Sequence, residues 1–331
     1  MKISTERGSA LLSVLWLSAA LAAIAFSLSV TVRGEIERTS TALDGLRCGY
    51  LASAGVERAA MEVLWSAGAA EGAPIPKRAT FVDYIFPSGN VRVEIIPETA
   101  KLDVNKVPNV DLGRLLEALG VEPAQIEEIV AAIDDWRRPG GGRFDGFYAS
   151  QTPSFRAPHA SFEEIEELLA VKGVTPEIFY GTYSPATGWG PAEALAPEPG
   201  RPGARLIRHT GLIDCLSVYG SNTSVDANTA EPAVLAAVGV PGYSIQQIAT
   251  RRREKPLTLG ELAEIGAGAA AGRLRVEGNT IVTFRATARL RVGEGQVGDL
   301  RRTVAAQVKY MAYGAEIPYY VLRWYDTAWS D

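Results

Sequence analysis

The sequence predicts an α+β protein with a membrane anchor, and three observations carry that prediction. The first is a charge-free run from Ser9 to Val32. The second is a pair of strand-like blocks, one near residues 81–96 and one after residue 280. The third is a duplicated helical pattern between those blocks. Helices flanked in this way by strands predict one antiparallel sheet interrupted by a large helical insertion.

The chain opens MKISTERG, with Lys2, Glu6 and Arg7 charged. The 24 residues that follow would span about 36 Å as a helix, enough to cross a hydrocarbon core of about 30 Å. Arg7 and Arg33 flank the run, so charge asymmetry does not orient it; the large remainder after Arg33 places the short leader on the cytoplasmic side. Three readings of the segment compete. A cleaved secretory signal finds small residues at Ala23-Ile24-Ala25, but the apolar run outlasts the usual signal length. A plain signal anchor is the second. The third rests on Gly8, which ends the charged leader where the apolar run begins at Ser9.

Beyond Arg33, Leu43, Leu46, Tyr50, Ala54, Met61 and Leu64 recur at helical spacing, predicting one helix of more than 50 residues, half in lipid and half packed on a domain. Such a stripe serves either core packing or a partner. After Pro74 and Pro76, Phe81–Phe86 and Val91–Ile96 flank Pro87-Ser88-Gly89-Asn90 and read as a hairpin. In the middle, Lys101-Leu-Asp-Val-Asn-Lys-Val-Pro108 and Ser224-Val-Asp-Ala-Asn-Thr-Ala-Glu-Pro232 each precede a helix, a glycine turn at Gly120 or Gly239, and a second helix. Further acidic-apolar stretches follow at Ser161–Val174 and Leu257–Gly266. The Pro- and Gly-rich residues 181–206 read as loop. From Thr280 apolar Val282, Phe284, Ala286, Ala288, Leu290 and Val292 alternate with Thr283, Arg285, Thr287, Arg289 and Arg291, as half-buried strands with a solvated outer face do. The arginine face could alternatively bind an acidic partner.

Composition narrows the function. Two histidines and two cysteines, without metal-ligand spacing, leave zinc and thiol chemistry unsupported, and no nucleophile–base spacing marks an enzyme. Asp134, Asp135 and Asp145, around the Pro139-Gly140-Gly141-Gly142 loop, could hold Ca²⁺ if carbonyls and water completed the shell; turn and helix-end formation is the alternative. Cys48 and Cys215 would share an oxidising compartment outside the cytoplasm and could form one disulfide.

Two resemblances sharpen this. The duplicated units resemble helix-hairpin-helix or SAM-like modules, which often grip DNA phosphates through amides at the glycine turn. A membrane-anchored DNA receptor is therefore the alternative function, but residues 101–180 hold 14 acidic against 8 basic side chains, which disfavours nucleic acid. Arg251-Arg252-Arg253 reads as a solvated helix end.

In the order ERGSALLSVLWLSAALAA, KLDVNKVP, AIDDWRRPGG, SFEEIEELLAVKGVTPEIFYG, SVDANTAEPAVL and NTIVTFRATARLRV, the chain resembles the K-class minor pseudopilins of type II secretion. The resemblance implies a non-enzymatic subunit with a pilin-like antiparallel sheet. Its leader would occupy residues 1–8, its long helix 9–66 with 9–32 in the membrane, and the first part of the sheet 67–100. The helical units would occupy 101–206 and 207–272, and the closing strands 273–331. It implies cleavage by prepilin peptidase after Gly8, with methylated Ser9 as the new terminus. Ser13 stands at mature position five, where most of the family has Glu; a subunit inserted first has no preceding neighbour for such a carboxylate to pair with. Implied partners are the I- and J-class minor pseudopilins, the major pseudopilin, and secreted substrate or secretin. The implied place is the inner membrane, single-pass, with a periplasmic body at the pseudopilus tip. Family members bind calcium in the helical domain, whereas this chain has RRPGGGR where more acids would be expected.

Overall fold

The computed structural model describes residues 6–68, 75, 79–185, 206–222, 224–276, 278, 280–293, 296–311 and 315–328. Pro74, Pro76 and most of the Pro-rich loop (residues 186–205) lie outside them.

The charge-free run and the amphipathic stretch form one helix, α1 (Glu6–Gly68), of 63 residues and about 95 Å. Among the described residues it is the one helix long and apolar enough to cross a membrane. Its second half lies on a sheet. Strands β1 (Phe81–Phe86) and β2 (Gly89–Pro97) form the expected hairpin, but the turn is only Pro87-Ser88, because Gly89 pairs with Phe86 and Asn90 with Ile85.

The face of α1 that packs is not the one its large apolar residues suggest. Cys48, Leu51, Ala52, Val56, Ala59 and Ala60 are buried against the sheet, while Leu46 is 62% and Tyr50 76% exposed. Small residues win this face because they let helix and sheet approach closely: an added Cβ on Gly55 would stand 2.5 Å from Cγ1 of Val91. Tyr310 donates to the carbonyl of Ala60 (2.9 Å), and Tyr84 to Glu62 (2.6 Å) under the guanidinium of Arg58. These bonds fix the helix at its C-terminal end.

The first helical unit leaves the sheet after β2. It comprises β3 (Leu102–Asp103), α2 (Asn109–Ala118), α3 (Pro123–Arg137), α4 (Asp145–Ala149), a 3₁₀ segment at Ile165–Ala170, α5 (Pro176–Tyr180), β4 (Tyr183–Pro185), β5 (Leu206–Arg208), α6 (Leu212–Cys215) and β6 (Leu216–Ser217). β6 pairs in parallel with β3, Leu102 opposite Leu216. Residues 207–217 therefore close the first unit rather than opening the second, which corrects the boundary read at residue 207. The second unit follows as β7 (Val225–Asp226), α7 (Pro232–Ala237), α8 (Gly242–Glu254), α9 (Leu259–Ile265) and β8 (Leu274–Arg275), with β7 parallel to β8.

The repeat is one of hydrogen bonds as well as letters. Asn105 donates to the carbonyl of Phe162 (3.0 Å) and accepts from its amide (2.7 Å); Asn228 does the same with Leu257 (3.1 and 2.8 Å). Arg137 donates to the carbonyls of Val104 and Val107, and Arg252 to those of Ala227 and Ala230. Arg252 is thus an internal clamp, not a solvated helix end. α2 packs on α7, Arg273 pairs with buried Asp111 across the units (2.6 Å), and both units share one hydrophobic core.

The chain returns as β9 (Ile281–Gly293), β10 (Gln296–Tyr310) and β11 (Tyr319–Tyr325), giving an antiparallel sheet of order β1-β2-β9-β10-β11. The insertion thus leaves and re-enters between neighbouring strands. Its inner end also covers the sheet face opposite α1, so that face is not uniformly solvated. Buried Glu98 accepts from Thr283 (2.6 Å), Arg285 pairs with Glu94 and is itself buried, and Arg323 pairs with Glu164.

Candidate functional site

Two places in this frame bear on function: the acidic loop of the first unit and the uncovered side of α1.

Asp134 and Asp135 are neighbours near the end of α3, so about 100° of helical turn separates their side chains. Asp134 turns to Arg137 and Arg138. Asp135 turns inward and accepts from the backbone amides of Gly142 (2.9 Å), Arg143 (3.1 Å) and Phe144 (3.4 Å). Partial burial opposes its ionisation, but the three amides and His159 outweigh that and hold its pKa below the usual carboxylate value. The glycine run is what brings the loop this close. Gly142 has φ +143°, and a Cβ on Gly141 would stand 2.4 Å from the Asp135 carbonyl.

Asp145 is held from the other side. His159 bridges the loop, with Nδ1 3.1 Å from the Asp135 carbonyl and Nε2 2.9 Å from Oδ1 of Asp145. A carbonyl and a carboxylate are both acceptors, so both contacts are hydrogen bonds at once only in the protonated ring, the imidazolium. The residue sits at φ +45°, where few non-glycine residues are found. The three aspartates read from the sequence as a calcium site thus fall to three sets of protein donors. Among the described residues no group of three or more His, Cys, Asp or Glu is placed to hold a metal ion. The donor set does not fit Ca²⁺, because cationic side chains and amides stand where the ion would need open oxygens.

The His159 bridge has a pH signature. Its pKa is raised above the ordinary 6.5, first by the Asp135 carbonyl and then by Asp145. A raised folded pKa adds stability that is full below the ordinary value and is lost as pH climbs through the raised one. The melting temperature of the wild type should exceed that of His159→Gln most below about pH 6.5, with the gap closing at alkaline pH in a circular-dichroism pH series.

The two cysteines are not bridged. Both thiols are free and buried, Cys48 between α1 and the sheet and Cys215 in the core of the helical units. Cys48 lies 3.1 Å from the Ala288 carbonyl and 3.8 Å from that of Leu300. The disulfide expectation fails because the insertion folds as a core of its own, and spacing in the sequence carries no sign of that separation.

Along α1 the backbone is helical through Gly8 and Ser9, the helix starting at Glu6. Ser13 lies in the same unbroken helix. On the side away from the sheet, Leu43, Leu46, Tyr50 and Trp65 are exposed. Ala54, Glu57, Arg58, Met61, Glu62 and Trp65 line a shallow groove there. The sequence pattern marks Leu43, Leu46 and Tyr50 of this stripe but not Trp65, and suits a core equally well.

Residues 98–182, the greater part of the first unit, match the family model of the first domain of type II secretion system protein K. No curated protein matches the chain in sequence. In fold, the chain is similar to a chain in the crystal structure of the GspK-GspI-GspJ complex from the enterotoxigenic Escherichia coli type 2 secretion system. That match has 15% identity and a TM-score of 0.56, and covers 88% of this chain and 100% of the other. In domain and in fold, this chain is similar to the type II secretion minor pseudopilin K.

Proposed function

We propose that the chain is a minor pseudopilin that assembles with I- and J-class partners at the tip of a type II secretion pseudopilus. One arrangement supports this reading: a protein K domain inserted between neighbouring strands of a sheet that lies on a helix of membrane length. No step of catalysis is assigned to it. In this reading prepilin peptidase cuts after Gly8 and leaves Ser9 as the methylated terminus. Ser13, with no carboxylate to pair with a preceding subunit, suits entry as the first subunit. The apolar stripe of Leu43, Leu46, Tyr50 and Trp65 suits the helices of neighbouring subunits, because it is the part of the periplasmic half of α1 that its own sheet leaves uncovered. The helical units add bulk on the opposite side of the sheet. Subunits can be added beside and below, while that bulk blocks stacking above.

The test is the intact mass and amino-terminal sequence of the protein from membranes with and without co-expressed prepilin peptidase, followed by co-purification with I- and J-class pseudopilins. A methylated Ser9 terminus that depends on the peptidase, and a stable ternary complex, are expected. An intact Met1, or a cut near Ala25, would overturn the reading.

A further inference from the structure

The helical insertion and the sheet do not share a hydrophobic core. One core runs from Ala100 to Leu274 within the helical units, and the other lies between α1 and the sheet. The seat between the two bodies is polar, and a polar seat holds only as well as its hydrogen bonds are made.

Three side chains on the sheet face opposite α1 reach across that seat. Thr283, Gln307 and Arg323 stand directly opposite one another on β9, β10 and β11. The outer two each hold an acid of the insertion. Thr283 donates to Glu98 (2.6 Å), and Arg323 donates to Glu164 and to the carbonyl of Glu163 (3.0 Å). Gln307, between them, shares a cavity of about 30 Å³ with Glu166. Oε1 of Gln307 and Oε2 of Glu166 are both shut off from solvent, and neither has a hydrogen-bond partner.

An amide oxygen and a carboxylate both accept, so an ionised Glu166 leaves two buried acceptors without a donor. One proton on Glu166 supplies it. The cations lining the cavity are engaged elsewhere: Lys101 with Glu98 and the Ile213 carbonyl (3.0 Å), Arg285 with Glu94, and Arg323 with Glu164. The other titratable groups lining it are Glu98, Glu163, Glu164 and Tyr325, whose phenol is pushed up by burial and then by Glu166. Burial is the largest influence on the Glu166 carboxyl and raises its pKa above the ordinary 4.5, with Glu164 adding to it; its own amide, Arg323 and Lys101 oppose this without reversing it.

We propose that Glu166 seats the insertion on the sheet as a carboxylic acid donating to the Gln307 amide oxygen, and that loss of its proton to solvent frees the insertion to swing about its two connections, at Pro97 and at Ile281. The acid form fixes the bulk of the insertion over the sheet, and the ionised form lets it turn relative to α1. This holds whether or not the chain enters a pseudopilus.

The test is a pH series on the full chain in detergent, comparing wild type with Glu166→Gln, whose amide is a permanent donor. The neutral acid is the seated form, so its contribution is full below the ordinary value of 4.5 and is lost as pH climbs through the raised one. The two melting temperatures should therefore agree in acid, and Glu166→Gln should melt higher in alkali. His159 titrates in both proteins and cancels from the comparison. Spin labels on Tyr243→Cys and Val292→Cys, exposed positions of α8 and β9, read the swing. Their distance distribution should widen at least about twofold from acid to alkali in wild type and stay narrow in Glu166→Gln. Gln307→Leu, which removes the acceptor, should be wide even in acid, and with the wild-type label series it decides the matter if Glu166→Gln does not fold. A gap in melting temperature that does not change with pH, or that favours wild type in alkali, would overturn the proposal and assign the seat to the carboxylate or to a bridging water. So would label distances that do not widen, or a Gln307→Leu distribution as narrow in acid as that of wild type.

Discussion

Gly55→Ala is expected to destabilise the protein by about 1–3 kcal/mol, although alanine is the better helix former by about 1 kcal/mol. The added methyl would stand 2.5 Å from Cγ1 of Val91 and 3.2 Å from Cγ2 of Val93, so either the helix lifts from the sheet or both valines move. Gly49, six residues earlier on α1, has nothing within 4 Å of the same position, so Gly49→Ala should stabilise by up to about 1 kcal/mol. The opposite signs, read as urea midpoints on the detergent-solubilised chain, separate close packing from helix propensity. A larger side chain, Gly55→Leu, should prevent α1 from seating at all and leave Ala59 and Ala60 exposed to solvent. The Gly55→Ala/Val91→Ala double variant should lose less than the sum of its parts, because the room removed at one position is restored at the other. Equal stabilisation by alanine at both glycines would show that α1 is not held to the sheet by close approach here.

That contact also shows where sequence reading succeeds and where it stops. The length of α1 is legible because an uncharged run from Ser9 to Val32 matches the thickness of a hydrocarbon core and exceeds what a buried core helix needs. Which side of its second half is buried is not. Large apolar residues at helical spacing mark Leu43, Leu46 and Tyr50, while the buried side is built on Cys48, Ala52, Gly55 and Ala59, whose merit is small size. The duplication is legible from Asp103-x-Asn105 and Asp226-x-Asn228, since each pair closes the same turn and each Asn holds the same backbone bridge. The arginine clamps are not, because Arg252 lies among Arg251 and Arg253 and only its position on the helix selects it. Alternation along β9 predicts a solvated outer face. Yet alternation reports that two faces differ, not what covers them, and here the inserted units bury Arg285 while leaving Arg291 in the open.

The acidic loop offers the sharpest contrast between a sequence pattern and its geometry. Asp135→Ala should cost about 3 kcal/mol, because it removes the shared acceptor of the Gly142, Arg143 and Phe144 amides, and the loop can offer only water in its place. The ionised form carries this stability, and its pKa is lowered, so the contribution is present above the ordinary carboxylate value and is lost as pH falls through the lowered one. Asp134→Ala should cost no more than about 1 kcal/mol, since it breaks pairs to Arg137 and to the exposed side chain of Arg138. Asp145→Ala should fall between them and be non-additive with His159→Gln, because the two side chains form one bridge. A calcium site would behave otherwise. Its three carboxylates would share one ion, their losses would be similar and would vanish in chelator, and added calcium would raise the melting temperature by mass action. Thermal unfolding of the three single variants, each with calcium and with chelator, decides between the two. The graded order Asp135, Asp145, Asp134, indifferent to calcium, is expected if backbone amides and an imidazolium do the work of a metal. Equal losses, or a midpoint that climbs with calcium, would mean that the loop is held by an ion despite its arginines.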